Sequence, residues 1–189
     1  GKSMPLNVII AIDLSGSMSG KPMNMARNAA MEFVSKIDLN IHCVGIMGFA
    51  DRSKMFSNLT HEISSIESAI NKLDCNASRV GYGNDNNPLG DAIDIFKYKE
   101  DSKSILIVLT DGVWSSQKQA IKSSDYCREV GYEVVAIGFG SADKKFLERI
   151  STNSENALMT NLDNLVDSFG SIAQEISQSG GASGLKWNK

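Results

Sequence analysis

Two of the most hydrophobic stretches of this 189-residue chain end in an aspartate, and each aspartate leads into small or hydroxyl-bearing residues. In Asp13-Leu14-Ser15-Gly16-Ser17 an acid and two hydroxyls alternate through a glycine-containing loop, so their side chains can turn toward one point while the glycine removes a steric obstacle. Asp111, followed by Gly112, brings a second carboxylate from another strand end. Carboxylates and neutral hydroxyls are all-oxygen ligands, which suit a hard cation such as Mg2+ that keeps several of its waters. Two converging carboxylates repel one another, and a dication reverses that repulsion. Where hydroxyls and waters make up most of the inner shell, such an ion retains enough positive charge to attract a further carboxylate. That is a way of binding a partner without making a bond.

The elements that must position these residues are legible as alternating patterns. Asn7 to Asp13, Ile41 to Phe49, Ser104 to Asp111 and Glu133 to Phe139 are short aliphatic runs without strict alternation, as expected of strands buried on both faces. Helix-length patterns fall between and after them, at Lys21 to Ile37, Glu62 to Leu73, Gly90 to Tyr98, Ser116 to Val130, Lys144 to Ile150 and Leu162 to Ile176. The alternation predicts an α/β fold of three layers, a mostly parallel central sheet with helices on both faces. Lys54 to Ser57 reads as one antiparallel edge strand, and Glu155 to Met159 as a strand at the opposite edge. In sheets of this kind ligands sit beyond the carboxyl ends of the strands, where Asp13 and Asp111 lie.

A formal net charge of -3 gives no basic field for nucleic acid or anionic lipid, and no apolar run approaches the length needed to cross a bilayer. Residues 1–5 read as a tag remnant or lead ahead of the domain, and their lack of an apolar leader predicts a cytoplasmic location. Residues 178–189, rich in Gly and Ser, read as a flexible tail. Cys43, Cys75 and Cys127 follow no disulfide or metal spacing and read as free thiols. His42 and His61 read as ordinary surface or half-buried residues.

Three segments together resemble a known family. Asp13-Leu14-Ser15-Gly16-Ser17-Met18, Pro88-Leu89-Gly90-Asp91-Ala92-Ile93 and Leu109-Thr110-Asp111-Gly112 look like the three pieces of the metal-ion-dependent adhesion site of von Willebrand factor A (vWA) domains, in the family's order. The resemblance covers residues 6–177. It implies a Rossmann-like vWA fold that binds Mg2+ or Mn2+, with Ca2+ a further candidate, and that offers an open coordination position to an Asp or Glu of a protein partner. By the same resemblance Ser15 and Ser17 are direct ligands, and Asp13 and Asp111 act directly or through water. The family places a Thr immediately before Pro-Leu-Gly; here that residue is Asn87, whose amide oxygen can also ligate a hard cation. Asp85, in the same loop, is the second candidate at that position. Met18 in the metal loop and Trp114 just beyond Asp111 are candidate partner contacts. The resemblance further implies a non-catalytic module, monomeric by itself, most similar to intracellular bacterial members of the tellurium-resistance and stress-response type. An adhesion domain cut from a larger secreted chain, or a scaffold whose metal site is degraded, are the alternatives.

Enzyme readings fit less well. A phosphatase using Asp13 as nucleophile would need an acid two residues on, where Ser15 stands. A phosphate loop at Gly16 to Pro22 is one residue short and ends in Pro22 instead of Ser or Thr.

Overall fold

The structure, a computed structural model, describes residues 4–187. Six strands form one sheet in the order β3-β2-β1-β4-β5-β6: β1 (Leu6–Asp13), β2 (Cys43–Phe49), β3 (Ser53–Thr60), β4 (Lys103–Thr110), β5 (Glu133–Gly138) and β6 (Ala157–Met159). All neighbours pair in parallel except β2 and β3, which form the expected antiparallel edge. Among the described residues seven α-helices accompany them, α1 (Lys21–Ser35), α2 (Ile63–Lys72), α3 (Ala77–Val80), α4 (Pro88–Phe96), α5 (Gln117–Val130), α6 (Lys144–Ile150) and α7 (Leu165–Ser179).

β1 shows why its sequence lacks alternation. All eight of its residues are buried. Val8, Ile10 and Ile12 pack with Met23, Ala26, Phe33, Phe169 and Ile172 of α1 and α7, while Ile9 and Ala11 pack on the other face with Leu89, Phe96, Ala120 and Phe146 of α4, α5 and α6. Each strand residue therefore meets a helix layer whichever way it points, the three-layer arrangement the pattern predicts. Pro22 lies in the first turn of α1 and Pro88 begins α4, positions where the missing N–H costs nothing. One short helix, α3, was not anticipated; Asn76 caps it by accepting from the Ser78 N–H at 3.0 Å. α7 begins later than expected because Leu162–Asn164 forms a tighter 3-10 turn ahead of it. Among the described residues no helix is long and apolar enough to cross a membrane.

The tail is a correction. α7 continues to Ser179 and ends where Gly180 takes the left-handed conformation, with φ 78°. The chain then folds back on the domain: Ala182 is fully buried and Leu185 is 5% exposed. The Ala182 N–H donates to Glu133 Oε2 at 2.6 Å, Glu133 also pairs with Lys103, and the Trp187 indole N–H donates to the Glu155 carbonyl at 2.9 Å. Composition pointed to a flexible linker because it weighs Gly and Ser and overlooks a few apolar residues with a groove to enter. Residues 188–189 of that stretch lie outside the described part, as do 1–3.

Removing residues 181–189 should therefore destabilise the domain by about 3 kcal/mol, from one buried leucine and one hydrogen bond to a carboxylate. Urea unfolding of the truncated and full chains measures the difference, and an unchanged midpoint would mean that the tail is a passive appendage.

Candidate metal centre

Asp13 is the last residue of β1 and Thr110 the last of β4, adjacent strands at the centre of the sheet. Asp13 is fully buried, and a carboxylate there requires donors. Oδ1 accepts from the Ser15 N–H at 2.8 Å and Oδ2 accepts from the Thr110 hydroxyl at 2.7 Å. The first bond folds the Asp13 loop back on itself, which leaves the Ser15 and Ser17 hydroxyls 3.4 Å apart. Ser15 is buried and Ser17 exposed, so the pair spans the floor and the mouth of the site.

Asp111 follows Thr110 and is buried, and its Oδ1 has no hydrogen-bond partner. Burial raises its pKa above the usual carboxylate range; the Ser17 hydroxyl works against that rise and the charge of Asp13 adds to it. The fold thus places Asp13, Ser15, Ser17 and Asp111 near one another at the carboxyl ends of β1 and β4.

The loop ahead of α4 lies across the same edge of the sheet. Asn84 O accepts the Ser115 N–H at 3.1 Å, Asn86 O accepts the Ser116 hydroxyl at 2.7 Å, and the Asn86 N–H donates to Ala50 O at 3.0 Å. Asn87 directs its amide nitrogen to Ser123 Oγ on α5, at 2.9 Å, and its Oδ1 is buried without a partner, as is Asn86 Oδ1. Asp85 is exposed and accepts from the Ser115 hydroxyl at 2.6 Å. The donor set fits a hard cation: hydroxyl, amide and carboxylate oxygens, three of them buried with nothing to bind. Among the described residues no group of three or more His, Cys, Asp or Glu side chains gathers as a metal cage, so neutral oxygens would have to supply much of any coordination here.

Two expected partner contacts are corrected. Met18 is fully buried and belongs to the core between the sheet, α1 and α7, not to the rim of the site. Trp114 is 2% exposed, held edge-on between Phe49 and Phe146 with ring centroids 5.5 and 5.2 Å away, and its indole N–H donates to Thr110 Oγ1 at 3.0 Å. An indole with a polar handle and an apolar pocket within reach is buried and not displayed. The apolar residues that do reach solvent in the neighbouring loops are Val113, 53% exposed, and Tyr82, 60% exposed.

Two positioning residues are not apparent from the sequence alone. Thr110 joins Asp13 to Trp114 through its hydroxyl. Asp51, in the β2–β3 turn, accepts from the Gly83 N–H at 3.2 Å, and a Cβ on Gly81, whose φ is +80°, would stand 2.3 Å from its Oδ2. Glycine is required there, and the Gly-Tyr-Gly spacing was the available signal. The loop so held passes its Tyr82 carbonyl to the Gly16 N–H at 3.1 Å.

A family model of the von Willebrand factor type A domain matches residues 7–175. Human collagen alpha-5(VI) chain is 27% identical over 179 residues, 90% of this chain but 7% of the collagen chain, so this chain spans a small part of that relative. The vWF domain of the type V pili tip protein Mfa5 from Porphyromonas gingivalis superposes with a TM-score of 0.81 at 13% identity, covering 100% of this chain and 99% of that one. Proximal thread matrix protein 1 from the mussel byssus, with a zinc-occupied MIDAS motif, superposes with a TM-score of 0.78 at 23% identity, covering 92% of this chain and 46% of that one.

Three substitutions test the site's energetics. A carboxyl whose pKa is raised by folding binds protons more readily in the folded state, so its ionised form is a burden that lightens as pH falls. In chelator at pH 7, Asp111→Asn should unfold about 2 °C above the wild-type chain, with the gap closing as the pH is lowered toward about 4, the ordinary carboxylate range. Thr110→Val strips a donor from Asp13 and an acceptor from Trp114 together, and should cost about 3 kcal/mol in denaturant unfolding. Trp114→Phe, which removes the indole N–H and also shrinks the buried ring between Phe49 and Phe146, should cost about 2–3 kcal/mol.

Proposed function

This chain belongs to the von Willebrand factor type A family, and from that premise we propose that it is a binding module, not a catalyst, which captures a carboxylate of a protein partner through a divalent cation. Asp13 carries the reading. Both its oxygens are committed to protein donors, whereas Asp111 Oδ1 and Asn87 Oδ1 have no protein partner and the Ser15 and Ser17 hydroxyls lie beside each other. Ser15, Ser17 and Asn87 would hold the ion directly, with Asp13 behind them as a fixed counter-charge and Asp111 completing the charge balance. The bound ion supplies an electrophilic coordination position, and the neutral donors around it leave that position attractive to an Asp or Glu side chain. Mg2+ or Mn2+ suits these oxygens, and Ca2+ remains a candidate where the loop relaxes.

The residues do not suggest turnover. Ser15 stands where a phosphatase would carry its acid. His42 and His61 lie at the far end of the sheet, ahead of β2 and after β3. A pilus tip protein, a byssal matrix protein and a collagen chain among the relatives favour an extracellular adhesion or matrix role over the cytoplasmic one expected from the N-terminus. These named relatives offer no counterpart to the tellurium-resistance likeness.

After chelation, titrating Mg2+, Mn2+ or Ca2+ should raise the thermal midpoint saturably, by about 5–10 °C at a hundredfold excess over the dissociation constant. Ser17→Ala, at an exposed position that leaves the core untouched, should lose most of that shift, and Asp13→Ala and Asp111→Asn all of it. With metal present, an Asp-bearing peptide should bind and its Asn counterpart should not. A wild-type midpoint indifferent to every cation would support the degraded-site alternative.

A further inference from the structure

The three thiols of the chain have different chemistry. Cys127 is buried in α5, and burial pushes its pKa up to about 11. Cys75 donates to the Ser15 carbonyl at 3.2 Å, and a peptide oxygen cannot take the proton away. Cys43 is paired with a base. The antiparallel register that sets Val44 against Thr60 carries Cys43, the first residue of β2, opposite His61, the residue after β3. Cys43 Sγ lies 3.2 Å from His61 Nε2, a close approach for sulfur. On the other side of the ring, His61 Nδ1 is 2.8 Å from the Leu39 carbonyl, which can only accept. The proton of a neutral imidazole must then sit on Nδ1, and Nε2 presents its lone pair to the thiol.

This is the nucleophile, base and orienting acceptor arrangement that activates thiols, assembled at the end of the sheet remote from Asp13. Its surroundings permit reaction. Cys43 is half-buried and His61 exposed, so a small molecule can reach the sulfur along the imidazole. Burial raises the Cys43 pKa while the charge of Lys99 works against that rise, so the thiol rests protonated and needs its base at the moment of attack.

We infer that Cys43 is a site of thiol–disulfide exchange, in which His61 acts as general base and a small disulfide is the substrate. The Cys43 proton passes to His61 Nε2 as the sulfur attacks one sulfur of the disulfide. The disulfide bond breaks, its electron pair leaves on the distal sulfur, and that sulfur takes the proton back from His61. Cys43 ends oxidised in a mixed disulfide, and one small thiol is released as the reduced product. The inference is independent of the metal centre.

Oxidised glutathione, with the modified residue identified by peptide mass spectrometry, is the direct probe. Cys43 should acquire the mixed disulfide at least about tenfold faster than Cys75 or Cys127. His61→Ala should slow reaction at Cys43 about tenfold even though it opens space around the sulfur, and added imidazole should restore the rate. His61→Gln, which fills the same volume without a base, should be as slow as His61→Ala. Faster labelling of Cys75 or Cys127, or a Cys43 rate that is unchanged or raised in both His61 variants, would overturn the assignment.

Discussion

A carboxylate with no solvent exposure must be compensated where it stands, and the region around Asp13 is arranged to do so. One of its oxygens takes the N–H of Ser15, which curls the following loop so that the Ser15 and Ser17 hydroxyls approach one another. The other takes the hydroxyl of Thr110 at the end of the neighbouring strand, and Thr110 in turn accepts the indole N–H of Trp114. Trp114 is wedged between Phe49 and Phe146, in the helix layer of α4, α5 and α6. The charge at the candidate centre is therefore continuous with the packing of one face of the domain.

The loop from Asp74 to Asn87 closes the centre from the side. It has little regular structure beyond α3, and backbone bonds pin its middle and its C-terminal end: Asp51 and Arg52 donate to the Val80 carbonyl, Gly16 donates to Tyr82, and Asn86 donates to Ala50. The Asp51 carboxylate fits against Gly81 and Gly83, where any side chain would collide with it. A polar, glycine-bearing loop could have been a mobile surface feature; these contacts turn it into a wall. They also explain why two asparagine oxygens there are buried with no protein partner, an arrangement that costs stability unless something else binds them.

The two ends of the sheet are chemically distinct. Hard oxygen donors collect at the carboxyl ends of β1 and β4, whereas a thiol and an imidazole meet at the opposite end through the antiparallel register of β2 and β3. The returning tail adds a third feature, satisfying the buried carboxylate of Glu133 and adding Ala182 and Leu185 to the core cluster shared by the sheet, α1 and α7.

Aliphatic runs without alternation were enough to specify a sheet covered on both faces, because a residue buried on either side must be apolar. The antiparallel edge, the order of the helices and the convergence of Asp13, Ser15, Ser17 and Asp111 were legible for related reasons: strand ends are marked locally, and in such a sheet they meet at one edge. Orientation around those ends was not. Val113 and Trp114 are adjacent, and only the pocket between Phe49 and Phe146 decided that the tryptophan turns inward and the valine outward. Met18 sits in the loop after Asp13 yet belongs to the core, packed with residues of the sheet, α1 and α7. The contact between Cys43 and His61 depends on a strand register, and the burial of Ala182 and Leu185 depends on a groove built by residues far away in the chain. Patterns set by each residue's own need for water or for a neighbour are written in the sequence. Which neighbour fills that need, among groups distant along the chain, is decided when the layers close.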